Sequence, residues 1–442
     1  MSSPAWSVYE GDWGSFCDDA DNVPPFLALK GCGLRQKCLL QRGAQGAVYL
    51  GEDADGNVFV VKRLFTQRSE FGVRGVSEGS LREATLLTYI AERSKSLDPE
   101  ARFGVIRLER IVEAPFQELC LILERCAFDL SRMVFYKRKR AHGGATGFLP
   151  EAPTRCPILA KMNVIQYLMR GILKILQFLH EECHIIHRDV KLGNLLVGED
   201  GRVRLADFGS ARFMHETVEK MSDAKSGEYT PISLRTTVIY QAPECLLGER
   251  SYTAAVDMWA AGVVFAELLL QQHLFHSCSE LAMLSDIWRL LGTPSDDPSL
   301  VRGEGAVTYA VRTESTIAQK FPESIVPAEG LDLLKRMLET DPKKRITDSE
   351  ALRHPFLCGP AVESGLEEAR LLWNKKVEAC MQETVAQPAA TGMRSFYVDN
   401  VEFDEESGEN DDGDDDGEKA TLPTCIGYFP HIISDVDGGQ GI

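Results

Sequence analysis

The sequence predicts an α+β fold in two parts, a small β-rich region followed by a larger helical region. Short β-rich runs and a single helical segment occupy residues 39–123, and helical periodicity dominates after Glu124. Hydrophobic residues make up 44% of the 442 residues and charged residues 26%. This composition is typical of an ordinary globular protein and excludes a fibrous or wholly disordered one.

The β-rich region contains four short runs of strand-forming residues. They cover residues 39–40, 47–50, 58–64 and 119–123. One helical segment, from Gly79 to about Ala91, interrupts them. The pattern predicts a small sheet that carries one helix.

The helical region has its clearest periodicity between Lys161 and Cys183. Six apolar residues recur at helical spacing there: Ile165, Leu168, Met169, Ile172, Leu176 and Leu179. Spacing of this kind places the six side chains on one helix face, so we expect a core helix.

The sequence predicts little packed structure at the two ends of the chain. Residues 1–35 show neither helical nor strand periodicity, and residues 358–442 form a C-terminal extension. Residues 399–418 contain twelve Asp or Glu and no Lys or Arg. The charge of this segment is therefore two thirds of the net charge of −18. We expect this acidic tail to be disordered, and the acidic balance gives no reason to expect nucleic-acid binding.

Cysteine usage and the absence of targeting segments predict an intracellular protein, nuclear or cytoplasmic. The twelve cysteines are scattered without a C-x-x-C pair. The first 22 residues are acidic, and the longest apolar stretch, 260–270, is too short for a bilayer. A basic run at 137–140 opens a loop of about 137–157 and is either a nuclear-import signal or a solvated face.

Two neighbouring segments carry the residues for phosphoryl transfer. Residues 187–194 read His-Arg-Asp-Val-Lys-Leu-Gly-Asn, and Asp-Phe-Gly follows at 207–209. The transfer requires a carboxylate to orient the attacking hydroxyl, a cation near the moving phosphate and oxygen ligands for magnesium. Asp189, Lys191 and the pair Asn194 and Asp207 provide these groups in that order. Both motifs in this order are a specific signal.

These motifs resemble eukaryotic Ser/Thr protein kinases, and the cyclin-dependent kinase-like CMGC group in particular. The resemblance covers residues 36–357 and implies a two-lobed fold. It places an N-lobe at 36–123 with one regulatory helix, a hinge at 124–126 and a helical C-lobe at 127–357. Lys191, two residues after Asp189, is the serine/threonine pattern.

The resemblance extends to the nucleotide site. Gly43 and Gly46 match the second and third glycines of the glycine-rich loop, whereas Gln41 replaces the first. Lys62 resembles the strand lysine that contacts the α- and β-phosphates and pairs with a helix glutamate, here Glu83. ATP and Mg²⁺ are the implied cofactors, with protein Ser/Thr hydroxyls as substrates. The implied adenine contacts are Leu40, Val48, Val60 and Leu196, with backbone groups of Glu124 and Cys126.

Three further residues resemble structural supports of the family. Glu244 in Ala-Pro-Glu is expected to pair with Arg345, and Asp257 is expected to brace the catalytic loop from below.

The resemblance also implies two activating inputs. Residues 75–83 resemble the cyclin-binding helix of cyclin-dependent kinases, with Leu81 directed at the cyclin; the alternative is an ordinary amphipathic helix that delivers Glu83. Arg82, Arg188 and Arg212 match three arginines that gather around an activation-loop phosphate. Thr230 is the candidate phosphoacceptor, and Ser226 and Ser233 remain alternatives.

Two departures limit this resemblance. Ala44-Gln45 replaces an inhibitory Thr-Tyr pair, so that switch is expected to be missing. Ile239-Tyr240-Gln241 replaces Trp-Tyr-Arg, which puts a requirement for proline after the phosphoacceptor in doubt. Two alternative functions stay open: a pseudokinase scaffold, and a cyclin-independent CMGC kinase of the mitogen-activated or glycogen-synthase type.

Overall fold

A computed structural model describes ten segments of the chain. They are residues 33–43, 46–68, 74–95, 104–114, 118–135, 156–214, 237–249, 252–277, 279–292 and 314–386. The predictions for the N-terminal extension before residue 33, most of the 137–157 loop and the acidic tail lie outside these segments.

The N-terminal region is built on a five-stranded antiparallel sheet with the order β1-β2-β3-β7-β6. Its strands and a separate β4-β5 pair are β1 (Arg35–Gly43), β2 (Gly46–Glu52), β3 (Val58–Leu64), β4 (Thr66–Arg68), β5 (Arg74–Val76), β6 (Leu108–Ala114) and β7 (Glu118–Leu123). Side chains of β2 alternate between buried and half-buried positions, as a strand with one face on the core requires. The four predicted strand runs all lie in this sheet.

Helix α1 (Glu78–Ser94) packs against the sheet. It begins after Ser77, whose hydroxyl accepts a hydrogen bond from the Ser80 N–H and caps the helix. Leu86, Leu87 and Ile90 are buried on its inner face. The predicted single helix of this region is therefore confirmed.

The C-terminal region is mainly helical. Its elements are β8 (Cys126–Asp129), α2 (Leu130–Val134), α3 (Met162–Gln177), β9 (Ile185–Ile186), β10 (Leu195–Gly198), β11 (Val203–Leu205), β12 (Arg212–Phe213), α4 (Pro243–Leu246), α5 (Ala255–Leu270), α6 (Glu280–Leu291), α7 (Ile317–Lys320), α8 (Ala328–Met337), α9 (Asp348–Leu352) and α10 (Pro360–Ala386). The six apolar residues predicted for the core helix are all buried. A π-helical turn at Phe178–Glu182 follows α3 and completes the predicted span.

Two buried ionic contacts brace this region. Arg345 makes a bidentate ion pair with Glu244, with N–O distances of 2.7 and 2.9 Å, and its guanidinium lies over the Trp259 ring. Asp257, near the start of α5, accepts hydrogen bonds from the backbone N–H groups of His187 and Arg188, each at 2.7 Å. Both contacts agree with the expected structural supports, and Asp257 fixes the catalytic loop to the helical core.

Helix α10 is an element that the sequence analysis did not place. It occupies the start of the C-terminal extension and packs against α3 and β8. Within the described segments, no helix combines the length and apolar character needed to cross a membrane.

Candidate active site

Lys62 lies where β3, α1 and the Asp-Phe-Gly segment meet, and it contacts two carboxylates. It projects from β3, and its Nζ is 2.9 and 2.8 Å from the two Glu83 oxygens of α1. The same Nζ is 3.3 Å from Asp207 Oδ1. Burial alone would lower the pKa of Lys62, but the charges of Asp207 and Glu83 outweigh it and raise the pKa. The lysine is therefore held as an ammonium at this point.

The segment around Asp207 has a strained backbone. Asp207 adopts a left-handed conformation, with φ of +65°, which costs free energy in a non-glycine residue. The next residue, Phe208, is fully buried and packs edge-on against the His187 ring, with centroids 4.8 Å apart. Phe208 therefore anchors this segment in the core, and the adjacent Asp207 carboxylate contacts Lys62. The Lys62 charge is the largest cause that lowers the pKa of Asp207 to about 2, so this carboxylate is ionised.

The catalytic loop brings together Asp189, Lys191 and Asn194. The Asn194 amide donates to Asp189 Oδ2 at 3.0 Å and to the Asp189 carbonyl at 2.8 Å. Lys191 Nζ is 3.4 Å from Asp189 Oδ2 and donates to Thr237 Oγ1 at 3.2 Å. Burial raises the pKa of the Asp189 carboxyl. Thr237 was not among the predicted site residues, since only the tertiary fold brings it next to Lys191.

The predicted adenine contacts lie in one apolar cluster. Leu40, Val60 and Leu196 are buried, and Val48 and Cys126 pack against the same cluster. They come from β1, β2, β3, β8 and β10. Glu124 precedes β8; its N–H donates to the Arg107 carbonyl, and its carboxylate lies 3.3 Å from Arg204. Of these residues, Val48 lies directly opposite Lys62 in the pairing of β2 with β3.

Gly46 begins β2 directly after the predicted phosphate loop. A Cβ atom at this position would overlap the Arg63 carbonyl of β3, so the close approach of the two strands requires glycine. Gly43 is the last residue of β1 and pairs with Gly46. Residues 44 and 45, which replace the inhibitory pair, lie outside the described segments.

The donor set at this site fits a nucleotide-bound magnesium ion. Asp207 provides an ionised carboxylate and Asn194 an amide oxygen, and Mg²⁺ prefers hard oxygen ligands supplemented by phosphate and water. The Asn194 amide nitrogen is used by Asp189, which leaves its oxygen as the atom for a cation.

The three predicted arginines lie at the junction of α1, the catalytic loop and β12. Arg82 Nη1 donates to the Gly209 carbonyl and Arg188 Nε to the Ser210 carbonyl, each at 2.6 Å. Burial and the neighbouring charges of Arg188 and Arg82 lower the pKa of Arg212 to about 10. Thr230, like Ser226 and Ser233, lies outside the described residues, so its predicted role is untested.

Sequence reasoning missed Glu78 at this junction. The Glu78 carboxylate pairs with Arg82 in the same helix, and Arg212 Nη2 lies 3.4 Å from its Oε1. The spacing of four residues between Glu78 and Arg82 was a signal in the sequence. The contact with Arg212 depended on the tertiary fold.

The segment that replaces Trp-Tyr-Arg lies beside the catalytic loop. Tyr240 donates its hydroxyl to Glu267 at 2.6 Å, and Gln241 is buried. A small cavity is lined by Asp189, Thr237, Gln241 and neighbouring residues that include Arg188. Gln241 therefore lies close to the predicted catalytic residue.

Comparisons with known proteins agree with this geometry. Residues 35–357 match the model of the protein kinase domain family. Cyclin-dependent kinase 4 of Xenopus laevis is 32% identical over 322 residues, which cover 72% of this chain and 88% of that protein. A serine/threonine-protein kinase of Candida albicans is 35% identical over 202 residues, or 45% of this chain, and the match spans only 27% of that longer protein.

A solved structure gives the same result. The CAK complex from Chaetomium thermophilum bound to ATP-gamma-S contains a chain that superposes with a TM-score of 0.57 at 27% identity. The match covers 74% of this chain and 92% of that one. The chain belongs to the protein kinase family, and within it to the serine/threonine kinases that resemble cyclin-dependent kinases.

Proposed function

We propose that the protein transfers the γ-phosphate of ATP to Ser or Thr hydroxyls of protein substrates. The observation that carries this proposal is the position of Lys62, which contacts both Glu83 and Asp207. Phosphoryl transfer depends mainly on positioning and on electrostatic stabilisation. A lysine fixed between α1 and the Asp-Phe-Gly segment is positioned to hold the α- and β-phosphates.

Asp189 is proposed to orient the substrate hydroxyl and to accept its proton. Its carboxylate is fixed by Asn194, and burial raises its pKa, which makes it a better proton acceptor than an exposed carboxylate. Lys191 Nζ lies 3.4 Å from the Asp189 carboxylate and would offset the charge that develops on the transferring phosphate.

Asn194 and Asp207 are the residues that would hold Mg²⁺. When bound, the ion would neutralise charge on the β- and γ-phosphates of ATP. The chain's own part is to keep Asp207 ionised through Lys62 and to anchor its segment through the buried Phe208.

Cyclin binding and activation-loop phosphorylation are proposed as activating inputs. Leu81 of α1 leaves 48% of its surface exposed and is available to an apolar partner pocket. Arg82, Arg188 and Arg212 converge where a phosphate on Thr230 could bind. Relatives named cyclin-dependent kinase and a neighbour named as a CAK complex support a cyclin as the partner class.

Activation without a cyclin is a second candidate. It is favoured by Glu78, which contacts Arg82 and Arg212 and so ties α1 to β12 through residues of this chain. A pseudokinase scaffold is less well supported, because Lys62, Glu83 and Asp189 and both candidate metal ligands are all retained.

A peptide-library assay tests the proposal. Purified protein with ATP and magnesium is assayed alone and with candidate cyclins, beside an Asp189→Asn control. We expect transfer to Ser or Thr, increased by one cyclin, with the library also reporting whether proline must follow the hydroxyl. Binding of ATP without transfer under every condition would support the scaffold instead.

A further inference from the structure

Helix α10 lies beyond the residues that match the kinase family, which end at 357. It nevertheless packs against the region that carries the predicted adenine contacts. Its buried side chains include Ala369, Trp373 and Val377, spaced four residues apart along one face. Trp373 is among the largest fully buried side chains of the described residues. The helix is therefore anchored by a narrow stripe with the tryptophan at its centre.

Trp373 contacts two neighbouring elements at once. Its Nε1–H donates to the carbonyl of Gly201, in the turn between β10 and β11, at 2.9 Å. Its ring meets the ring of Phe128 in β8 edge-on, with centroids 6.1 Å apart. A single side chain thus links the β8 strand to the end of the β10-β11 hairpin.

The same turn is tightly enclosed by the helix. Gly201 has a φ of +75°, and a Cβ atom there would overlap the Asn374 side chain. The turn is closed by a hydrogen bond from the Gly201 N–H to the Gly198 carbonyl at 2.9 Å. Displacement of α10 would keep this hydrogen bond but would remove the side chains that enclose the turn.

Strand register connects these contacts to the nucleotide site. β10 pairs with β8 so that Gly198 lies opposite Cys126, and Val197 lies opposite Phe128. Leu196, the neighbour of Val197, is one of the proposed adenine contacts. The two strands that Trp373 holds are thus the strands that carry two of the proposed adenine contacts.

We propose that Trp373 is a positioning residue for ATP binding, acting by holding the β8-β10 strand pair in place. The inference rests on the proposed function, because it takes Cys126 and Leu196 as adenine contacts. The phosphoryl-transfer groups have separate supports, since Asp257 binds the backbone of the catalytic loop and Thr237 binds Lys191. Loss of Trp373 should therefore weaken nucleotide binding and spare the transfer step.

The test compares Trp373→Ala, Trp373→Phe and Leu371→Ala in the full chain. Leu371 is on the same helix with 52% of its surface exposed, so its substitution is the matched control. For Trp373→Ala we expect the KM for ATP and the Kd for ADP to rise roughly three- to tenfold. The kcat should stay within about twofold of wild type. Trp373→Phe keeps a ring but loses the N–H donor, so it should show a smaller rise, and Leu371→Ala none.

A folded Trp373→Ala protein with unchanged KM and ADP affinity would overturn the inference, as would a loss confined to kcat. If Trp373→Ala fails to fold, the ADP affinity of Trp373→Phe tests the inference instead. An ADP affinity equal to that of the wild type would refute the positioning role of Trp373. The ADP measurement needs no transfer. A wild-type chain that binds ADP but transfers no phosphate, either alone or with any candidate cyclin, would therefore disprove the proposed function while this test still stands.

Discussion

Replacement of His180 with Asn is expected to remove a pH dependence of stability above pH 6.5. His180 is buried between Asp257 and Asp348, with ring nitrogens 3.0 and 2.6 Å from their carboxylate oxygens. Burial alone would lower the pKa of His180, but the hydrogen bonds and charges of the two carboxylates outweigh it and raise the pKa to about 9. The folded protein therefore keeps a proton that the unfolded chain releases near pH 6.5.

The sign and size of the effect follow from this shift. Stability from His180 is fully present below about pH 6.5 and is lost as the pH rises through about 9. A shift from 6.5 to 9 corresponds to about 3 kcal/mol in the free energy of unfolding. Because Asp257 also holds the backbone of His187 and Arg188, the same titration should loosen the catalytic loop.

Urea unfolding at several pH values between about 6 and 9.5 measures the effect. Over this pH range, the free energy of unfolding of the wild type should fall by about 3 kcal/mol more than that of His180→Asn. His184→Asn is the matched control, because His184 is exposed and asparagine tolerates its positive φ of 53°. If the free energies of unfolding of the wild type and of His180→Asn changed in parallel with pH, the reasoning would be refuted.

Three further substitutions test the site and its supports. Glu83→Gln removes the ionic partner of Lys62 and should lower kcat about 10- to 100-fold, measured by steady-state kinetics on folded protein. Glu78→Ala should lower the activity of unphosphorylated protein roughly two- to threefold, and the difference should disappear in about 1 M salt, because the contact is exposed. Arg345→Met leaves Glu244 buried without a cation and should cost about 3–5 kcal/mol in urea unfolding.

Matched controls exist for these variants. Glu92→Gln changes an exposed glutamate of α1 and should leave kcat unchanged. Arg336→Met removes an exposed ion pair and should change stability by less than about 1 kcal/mol. An unchanged kcat for Glu83→Gln, a salt-independent loss for Glu78→Ala, or equal stability losses for Arg345→Met and Arg336→Met would contradict the corresponding prediction.

The fold was predictable where apolar residues recur regularly. Strand β3 has the predicted bounds Val58–Leu64, because its apolar residues are buried on both faces, with Val60 in one hydrophobic cluster and Val61 in another. Strand β6 was missed because three charged residues, Glu109, Arg110 and Glu113, interrupt its apolar residues without a regular alternation. Charged residues are common in edge strands, and β6 lies at an edge of the sheet. Helix α10 was missed because its buried stripe, which includes Ala369, Trp373 and Val377, is only about one residue wide per turn.

The identities of the site residues could be read from the sequence, but their contacts could not. The motifs named Asp189, Asn194 and Asp207, since phosphoryl transfer needs those residue types in that order. Thr237 lies far along the chain from Lys191, and Tyr252 lies far from its hydrogen-bond partner Arg188. Only packing of the catalytic loop against α5 and the segment before α4 brings such pairs together.

The central claim is that Asp189 serves phosphoryl transfer and not nucleotide binding. The most direct measurement compares magnesium-dependent transfer of labelled γ-phosphate to a Ser/Thr peptide by the wild type and by Asp189→Asn, with ADP affinity measured on both. We predict that the substitution lowers the transfer rate roughly 10²- to 10⁴-fold and leaves the ADP affinity unchanged. Equal transfer rates for the two proteins, or no transfer by a wild type that binds ADP when it is assayed both alone and with candidate cyclins, would contradict the claim.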